Sequence, residues 1–263
     1  MLGSRILTHT VGATSLLVFS AGVVSQAQQA TSSAPSSSSK IPYPQKLTYR
    51  IEWRLITAGT ANLDITRAGA NAWEINLGLE SAGLVNRLYH ISDRYRVFTD
   101  GRFCASSANL DAQEGKRHMM TQLQFDNARH KVTYEERDLI KNKSEKRELD
   151  IPPCTHDIMG ALAALSELDL EAGKAATLPI TDGKKLVHAR IEAQAKETVP
   201  AMGKNYQTIR YEAFVFDNVL YKRKGRLFLW LSDDPDRVPV QFRIQLGFPI
   251  GTISLSLEKQ QKL

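Results

Sequence analysis

Residues 225–257, GRLFLWLSDDPDRVPVQFRIQLGFPIGTISLSL, form the most clearly patterned stretch of the sequence. Leucines alternate with aromatic residues over 227–231, so both faces of this run are apolar, as in a strand whose sheet is covered on at least one side. An acidic turn around Pro235 ends the run. Residues 238–244 return with period-two alternation, and a turn at 247–249 leads to a last strand over 250–257. This stretch predicts a three-stranded β-meander.

The rest of the chain repeats the pattern of short alternating runs and turns. Residues 46–55, for example, place apolar side chains on one face and polar ones on the other. Residues 83–90 lose the alternation and are predicted to be a short helix or a loop, and the charged segment 139–149 an exposed loop or a frayed hairpin. Turns this short join antiparallel strands, because parallel strands need long crossovers. We therefore predict a mainly β fold, with a curved antiparallel sheet or half-barrel of about a dozen strands.

One α-helix is predicted within this sheet, over residues 156–170. Apolar residues recur there at spacings of three and four, which is typical of a helix with one buried face. Pro152 and Pro153 precede it, Thr155 or Asp157 can cap its start, and Gly173 follows its end.

The N-terminal segment predicts export. Arg5 and the apolar run 11–24 precede Ser25-Gln26-Ala27, a small-x-small cleavage signal, so residues 1–27 are interpreted as a signal peptide. The apolar run is shorter than the ~20 residues of a membrane-spanning helix, and no cysteine follows it to accept a lipid. Residues 28–40 are rich in serine and predict a disordered linker, and 41–263 a single domain. We expect a periplasmic or secreted protein without a transmembrane segment in its mature chain.

The charge of the chain argues against a nucleic-acid-binding protein. The formal net charge is +6, but charges of both signs alternate along the sequence instead of forming a basic stripe. Peripheral contact with anionic lipid headgroups stays open as an alternative.

Two cysteines, Cys104 and Cys154, are expected to form a disulfide, because an even number in an exported chain favours one. The bond would close a loop worth about 4 kcal/mol on the chain-entropy model. A metal pair or a nucleophile are the alternatives, but a metal site needs further ligands nearby and a nucleophile needs a paired base.

Motifs of catalysis are absent from the sequence. It contains no G-x-S-x-G, H-E-x-x-H, P-loop or G-x-G-x-x-G pattern, and its histidines are scattered. His156-Asp157 could be an acid–base pair of a hydrolase, although the aspartate is better explained as a helix cap. Asp233, Asp234 and Asp236 form a carboxylate cluster that is better explained as a turn than as a calcium loop. We expect no enzyme activity, no cofactor and no metal.

Aromatic residues on or next to strands are the remaining functional signal. A single sheet with one helix cannot cover both its faces, so part of one face meets solvent, a partner or an apolar ligand. We predict that Trp53, Trp73, Tyr89 and Trp230 line or close a ligand groove; ordinary core packing under the helix is the alternative.

Three parts of the sequence resemble a known bacterial family of exported proteins, the domain of unknown function DUF3108. The resemblance covers residues 41–257, and its motifs are Ala58-Gly59-Thr60-Ala61, then Pro153, Cys154 and Asp157, then Leu229-Trp230-Leu231-Ser232-Asp233-Asp234, Arg237-Val238-Pro239-Val240 and Gly251-Thr252-Ile253. It implies an exported protein without an established activity. By analogy, the fold is similar to the half-barrel of periplasmic lipoprotein carriers, which hold acyl chains in the concave face.

Our leading hypothesis is therefore non-enzymatic binding of an apolar ligand, such as a lipid or a lipoprotein acyl chain. The alternatives are a structural or assembly partner of another envelope protein and a hydrolase with an unrecognised site.

Overall fold

The computed structural model describes residues 44–168 and 170–263. The predicted signal peptide and linker lie outside these residues. The described part contains two helices, α1 Gly83–Leu88 and α2 Ile158–Glu167. Its strands are β1 Gln45–Trp53, β2 Ile56–Gly69, β3 Ala72–Ser81, β4 Ile91–Asp100, β5 Ala105–Glu114, β6 Arg117–Asp126, β7 Lys131–Asp138, β8 Lys143–Asp150, β9 Ala175–Thr181, β10 Leu186–Ala201, β11 Lys204–Ala213, β12 Gly225–Ser232, β13 Pro239–Leu246 and β14 Thr252–Lys262.

All these strands form one antiparallel, unclosed curved sheet. Its order is β8-β7-β6-β5-β4-β3-β2-β1-β14-β13-β12-β11-β10-β9, so two meanders meet where the first strand pairs with the last. The predicted mainly β fold and the C-terminal meander are confirmed, with fourteen strands among the described residues. In this topology every connection that follows an odd-numbered strand lies at one end of the sheet, which we call the mouth end. Connections that follow even-numbered strands lie at the other end, which we call the disulfide end.

Helix α2 connects the two edge strands and packs on one face of the sheet, the α2 face. Met159 and Ala163 adjoin Leu63 and Ile75 of the first meander. On the other side, Leu165 joins a buried cluster that includes Tyr211 and Leu231. The helix packs against the sheet with apolar side chains along its length, because its small alanines let the strands approach it on both sides.

The two ends of α2 are fixed by different contacts. The disulfide Cys104–Cys154 and the Asp157 cap hold its start, as described below. At its end, the Arg237 guanidinium donates to the Leu168 carbonyl oxygen over 3.0 Å and to the Tyr211 hydroxyl over 2.5 Å. A buried cation at a helix C-terminus interacts favourably with the helix dipole.

The sheet curls far enough for the β9–β10 turn to pack on the α2 face of β6 and β7. Gly183 has φ +83°, and a Cβ there would lie 2.2 Å from Leu123 and 2.6 Å from Tyr134. Only glycine fits both this backbone conformation and this contact. Lys184, the next residue, reaches Glu136 on β7 with its ammonium group 3.2 Å from the carboxylate.

Two sequence predictions need correction. Segment 139–149, expected to be an exposed loop or a frayed hairpin, belongs to a regular hairpin in which residues 143–150 form the edge strand β8. The exposed charged side chains of β8 disfavour pairing of this edge with another sheet. The predicted helix 156–170 is shorter, because Asp157 caps it and Leu168 already has extended backbone angles.

Candidate functional site

His156 and Asp157, the sequence candidates for an acid–base pair, are both buried and both bound within the fold. The Asp157 carboxylate accepts from the backbone N–H of Met159 over 2.8 Å and of Gly160 over 2.9 Å. It also accepts from the Tyr95 hydroxyl over 3.2 Å. Burial raises the pKa of Asp157, and the two N–H groups and the Tyr95 hydroxyl partly oppose that increase.

The His156 imidazole is held by the backbone. Its Nδ1 lies 2.8 Å from the carbonyl oxygen of Phe103, which can only accept, so Nδ1 carries the proton. Burial lowers the pKa of His156, which favours this neutral form. His156 therefore holds the start of α2 against the β4–β5 connection, and Asp157 joins it to Tyr95 on β4.

The acidic turn at 233–236 has a structural explanation. Asp234 Oδ1 accepts from the Ser232 hydroxyl and from the backbone N–H of Asp236. Asp233 pairs with Lys196 at 2.7 Å, and Asp236 with Lys262 at 3.1 Å. Among residues 44–168 and 170–263, no group of three or more His, Cys, Asp or Glu is placed to hold a metal ion.

The four aromatic residues predicted to line a groove lie in three different places. Trp73 is buried on the α2 face near the disulfide end, stacked on Phe103 with ring centroids 6.0 Å apart. Trp230 is buried on the opposite face, where its Nε1 donates to Glu197 over 2.7 Å. Trp53 and Tyr89 both lie at the mouth end, Trp53 half-buried and Tyr89 exposed.

Trp53 is the one of the four that lies on the α2 face where this face is open. Its Nε1 donates to the Ile250 carbonyl oxygen over 2.6 Å, which fixes the ring at the end of β1. In register with it across the sheet are Ile253 on β14 and then Ile244 on β13. All three side chains are half-buried.

Burial along the α2 face of β1 and β14 decreases toward the mouth end. Tyr49 and its cross-strand partner Leu257 are 2% and 1% exposed. One step nearer the mouth end, the row of Ile51, Leu255 and Phe242 is half-buried. These two rows form a half-buried apolar surface on the α2 face near the mouth end, which we call the trough: Ile51, Trp53, Phe242, Ile244, Ile253 and Leu255.

A carboxyl group lies on the same face near the mouth end. Asp93 of β4 is in register with Leu79 of β3 and accepts from the Gln113 backbone N–H over 3.0 Å. Burial, and then the neighbouring Glu114, raise the pKa of Asp93 from 3.8 to about 6.

The raised pKa of Asp93 predicts a pH-dependent stability. The protonated form of Asp93 is favoured in the folded state. The stability that it contributes is therefore complete below pH 3.8 and is lost as the pH rises through about 6. We expect Asp93→Asn to match the wild type at low pH. Near neutral pH it should be about 1 kcal/mol more stable, a value reduced for solvent screening of this half-exposed carboxyl. Urea unfolding across this pH range measures the difference.

Asp126→Asn is the matched control, because Arg129 lowers the pKa of that exposed carboxyl. Near neutral pH, Asp126→Asn should be less stable than the wild type, whereas Asp93→Asn should be more stable. An Asp93→Asn protein whose advantage does not change between acidic and neutral pH would contradict the assignment.

Of the trough residues, only Trp53 was predicted from the sequence as a groove residue, although the others also lie on predicted strands. Alternation assigned them to a face, but only the position of α2 shows which rows of that face stay uncovered.

Within the described residues, none of the helices is long and apolar enough to cross a membrane.

Comparison with known proteins confirms the family resemblance. Residues 48–258 match the model of a family described as a protein of unknown function, DUF3108. A comparison with curated proteins finds no match.

Among solved structures, a β-barrel-like DUF1849 protein of Brucella abortus superposes with a TM-score of 0.56 and 12% identity, over 84% of this chain and 98% of that one. A Bacteroides fragilis protein with a YmcC-like fold gives a TM-score of 0.38 and 9% identity, over 84% and 97% of the two chains. At 12% sequence identity, the similarity to the Brucella protein supports a shared fold and nothing about function.

Proposed function

The chain belongs to the DUF3108 family, whose description assigns no function, and we propose that it is a non-enzymatic protein that binds an apolar or lipid-like ligand in the trough. The observation that carries this proposal is the gradient of burial on the α2 face. Six large apolar side chains stay half-buried where α2 no longer covers them. The predicted signal peptide supports a periplasmic or secreted location for this binding.

The chemistry of the trough suits an acyl chain. Its side chains are aliphatic or aromatic, and its polar contact is the Trp53 indole, whose N–H is already bound to Ile250. Each CH₂ group buried against such a surface contributes about 0.8 kcal/mol. Binding therefore needs shape and apolar contact, and no charged partner in the trough.

The first test is native mass spectrometry of the protein purified from the periplasm, followed by organic extraction. We expect a bound mass of lipid size. A mass without ligand, together with a stable co-purifying envelope protein, would instead favour the alternative of an assembly partner.

The second test uses a brominated fatty acid as the probe and Trp53 as the reporter. Bromine quenches tryptophan only at short range, and Trp73 and Trp230 are buried elsewhere. We expect quenching of wild-type fluorescence, loss of that quenching in Trp53→Phe, and a probe affinity at least about tenfold lower in Ile253→Glu, since a charge in the trough must be desolvated.

Ser254→Glu is the matched control, because the next residue of β14 faces the opposite side of the sheet. It introduces the same charge one position away and should bind the probe like the wild type. Equal affinities of the Ile253 and Ser254 variants, both folded, would contradict binding in the trough.

A further inference from the structure

Exposed apolar side chains are concentrated at the mouth end. The five most exposed large apolar residues of the described chain are Leu55 (95%), Phe248 (94%), Leu88 (72%), Ile140 (66%) and Leu84 (59%). They lie in the β1–β2, β13–β14 and β7–β8 turns and in α1, all connections that follow odd-numbered strands. Helix α1 has no buried residue at all. Clustered exposed apolar groups of this kind mark a contact surface.

The turns that carry these side chains belong to one continuous rim. The sheet order places neighbouring connections side by side, and direct contacts join several of them. The Arg54 guanidinium donates to the Ile250 carbonyl oxygen over 3.2 Å, linking the β1–β2 and β13–β14 turns. The Lys185 ammonium donates to the Asn218 carbonyl oxygen over 3.1 Å, linking the β9–β10 turn to the β11–β12 connection.

The same rim is strongly basic. Lys222, Arg223 and Lys224 follow one another in the β11–β12 connection, Arg87 lies in α1 and Lys116 in the β5–β6 turn. All five side chains are exposed, and among the described residues none of them forms an ion pair. Every residue of the mouth-end connections is described, and the acidic residues among them are Asp182 and Asp217. Asp182 is occupied by the backbone N–H groups of its own turn.

The disulfide end differs from the mouth end both in its charges and in its exposed apolar side chains. Several of its bases are paired with acids, as in Arg129–Asp126 at 2.7 Å and Lys262–Asp236 at 3.1 Å, and its described connections contain no run of unpaired cations. Its most exposed large apolar residue among those described is the terminal Leu263, at 50%. The combination of unpaired cations and exposed apolar side chains is therefore a property of one end of the molecule.

We propose that the mouth end docks on an anionic lipid surface. The unpaired cations meet the negative headgroups, and the most exposed apolar side chains, Leu55 and Phe248, enter the boundary between headgroups and acyl chains. Basic residues around an apolar patch are the composition of peripheral membrane-binding surfaces. Docking in this orientation directs the mouth end of the trough at the bilayer.

This inference does not rest on ligand binding in the trough. It is carried by the connections at the rim, whereas the trough is formed by the strands. A protein that holds no ligand could still bind vesicles, and a lipid-binding trough could exist in a protein that does not dock.

Co-sedimentation with vesicles tests the proposal, using phosphatidylcholine vesicles with and without phosphatidylglycerol. We expect binding only when phosphatidylglycerol is present, and weaker binding at high salt. Replacing Lys222, Arg223 and Lys224 by glutamate should weaken it roughly 100-fold, since each cation near an anionic surface contributes a factor of about five. Replacing Leu55 and Phe248 by serine should weaken binding without changing its dependence on phosphatidylglycerol.

The control variant changes Arg102, Arg129 and Lys174 to glutamate. It alters the net charge by the same amount at the disulfide end, and should bind vesicles like the wild type. Ile253→Glu, which targets the trough, should also dock normally.

The proposal is overturned if phosphatidylglycerol does not increase vesicle binding by the wild type, or if the two triple variants bind the vesicles equally well. A dimer that the Leu55 and Phe248 substitutions abolish, in a protein that does not bind vesicles, would assign the rim to a second copy of the chain.

Discussion

Replacing Cys104 and Cys154 together by serine is expected to lower the free energy of unfolding by about 4 kcal/mol, because the bond closes a loop with a sequence separation of 50. For a domain of this size that corresponds to a fall in Tm of roughly 8–16 °C. The wild-type protein treated with reductant should lose the same stability, and the serine variant should not respond to reductant. Thermal unfolding with and without reductant measures both.

The variant should still fold, because other contacts cross the same junction. The backbone N–H of Ala105 donates to the Thr155 carbonyl oxygen over 3.0 Å, and His156 Nδ1 donates to the Phe103 carbonyl oxygen over 2.8 Å. These bonds keep the start of α2 beside the β4–β5 connection without the covalent link. A Tm that changes by less than about 2 °C in both experiments would mean that the bond constrains the unfolded chain far less than its loop length implies.

The disulfide shows how far local sequence could lead. The number of cysteines and the predicted export were enough to pair Cys104 with Cys154, and the structure contains that bond. Period-two alternation likewise found the strands of the C-terminal meander. In each case the determining residues are few or adjacent in sequence, so their pattern is visible without the fold.

The trough and the rim depend on long-range pairing and could not be predicted. Trp73 and Trp230 look alike in sequence, since each sits in an alternating strand, but they are buried on opposite faces of the sheet. Which face of β12 meets α2 is decided by pairing with β11 and β13, not by the local pattern. Leu55 and Phe248 are far apart in sequence and share the mouth end only because the first strand pairs with the last.

Segment 143–150 shows a different limit. Its run of charges predicts exposure correctly, but exposure alone does not exclude a strand. β8 lies at the edge of the sheet with mostly exposed side chains, and charged side chains there disfavour pairing with another strand. The tertiary position of β8 therefore outweighs its weak strand propensity.

Asp157→Ala is expected to destabilise the protein by about 3 kcal/mol, although it removes only one carboxyl group. The substitution takes away the N-cap of α2, typically worth about 1 kcal/mol. Here the N–H groups of Met159 and Gly160 that lose this acceptor are buried, which raises the cost of losing the cap, since unsatisfied buried groups cost about 1–3 kcal/mol. Chemical denaturation gives the value directly.

The start of α2 is closely packed around Gly160. A Cβ at Gly160 would lie 2.7 Å from Asp157 Oδ1 and 2.7 Å from the Phe103 carbonyl oxygen, so the three residues meet at the closest approach that glycine permits. Asp157→Asn keeps an oxygen for one of the two N–H groups in the same space, so it should cost about 1–2 kcal/mol, less than Asp157→Ala. Tyr95→Phe, which removes the third donor, should lessen the penalty of Asp157→Ala in the double variant, since one fewer buried group loses its partner. If Asp157→Ala and Asp157→Asn were equally stable, the carboxyl would not be acting as a cap, and a chemical role for the His156-Asp157 pair would have to be reconsidered.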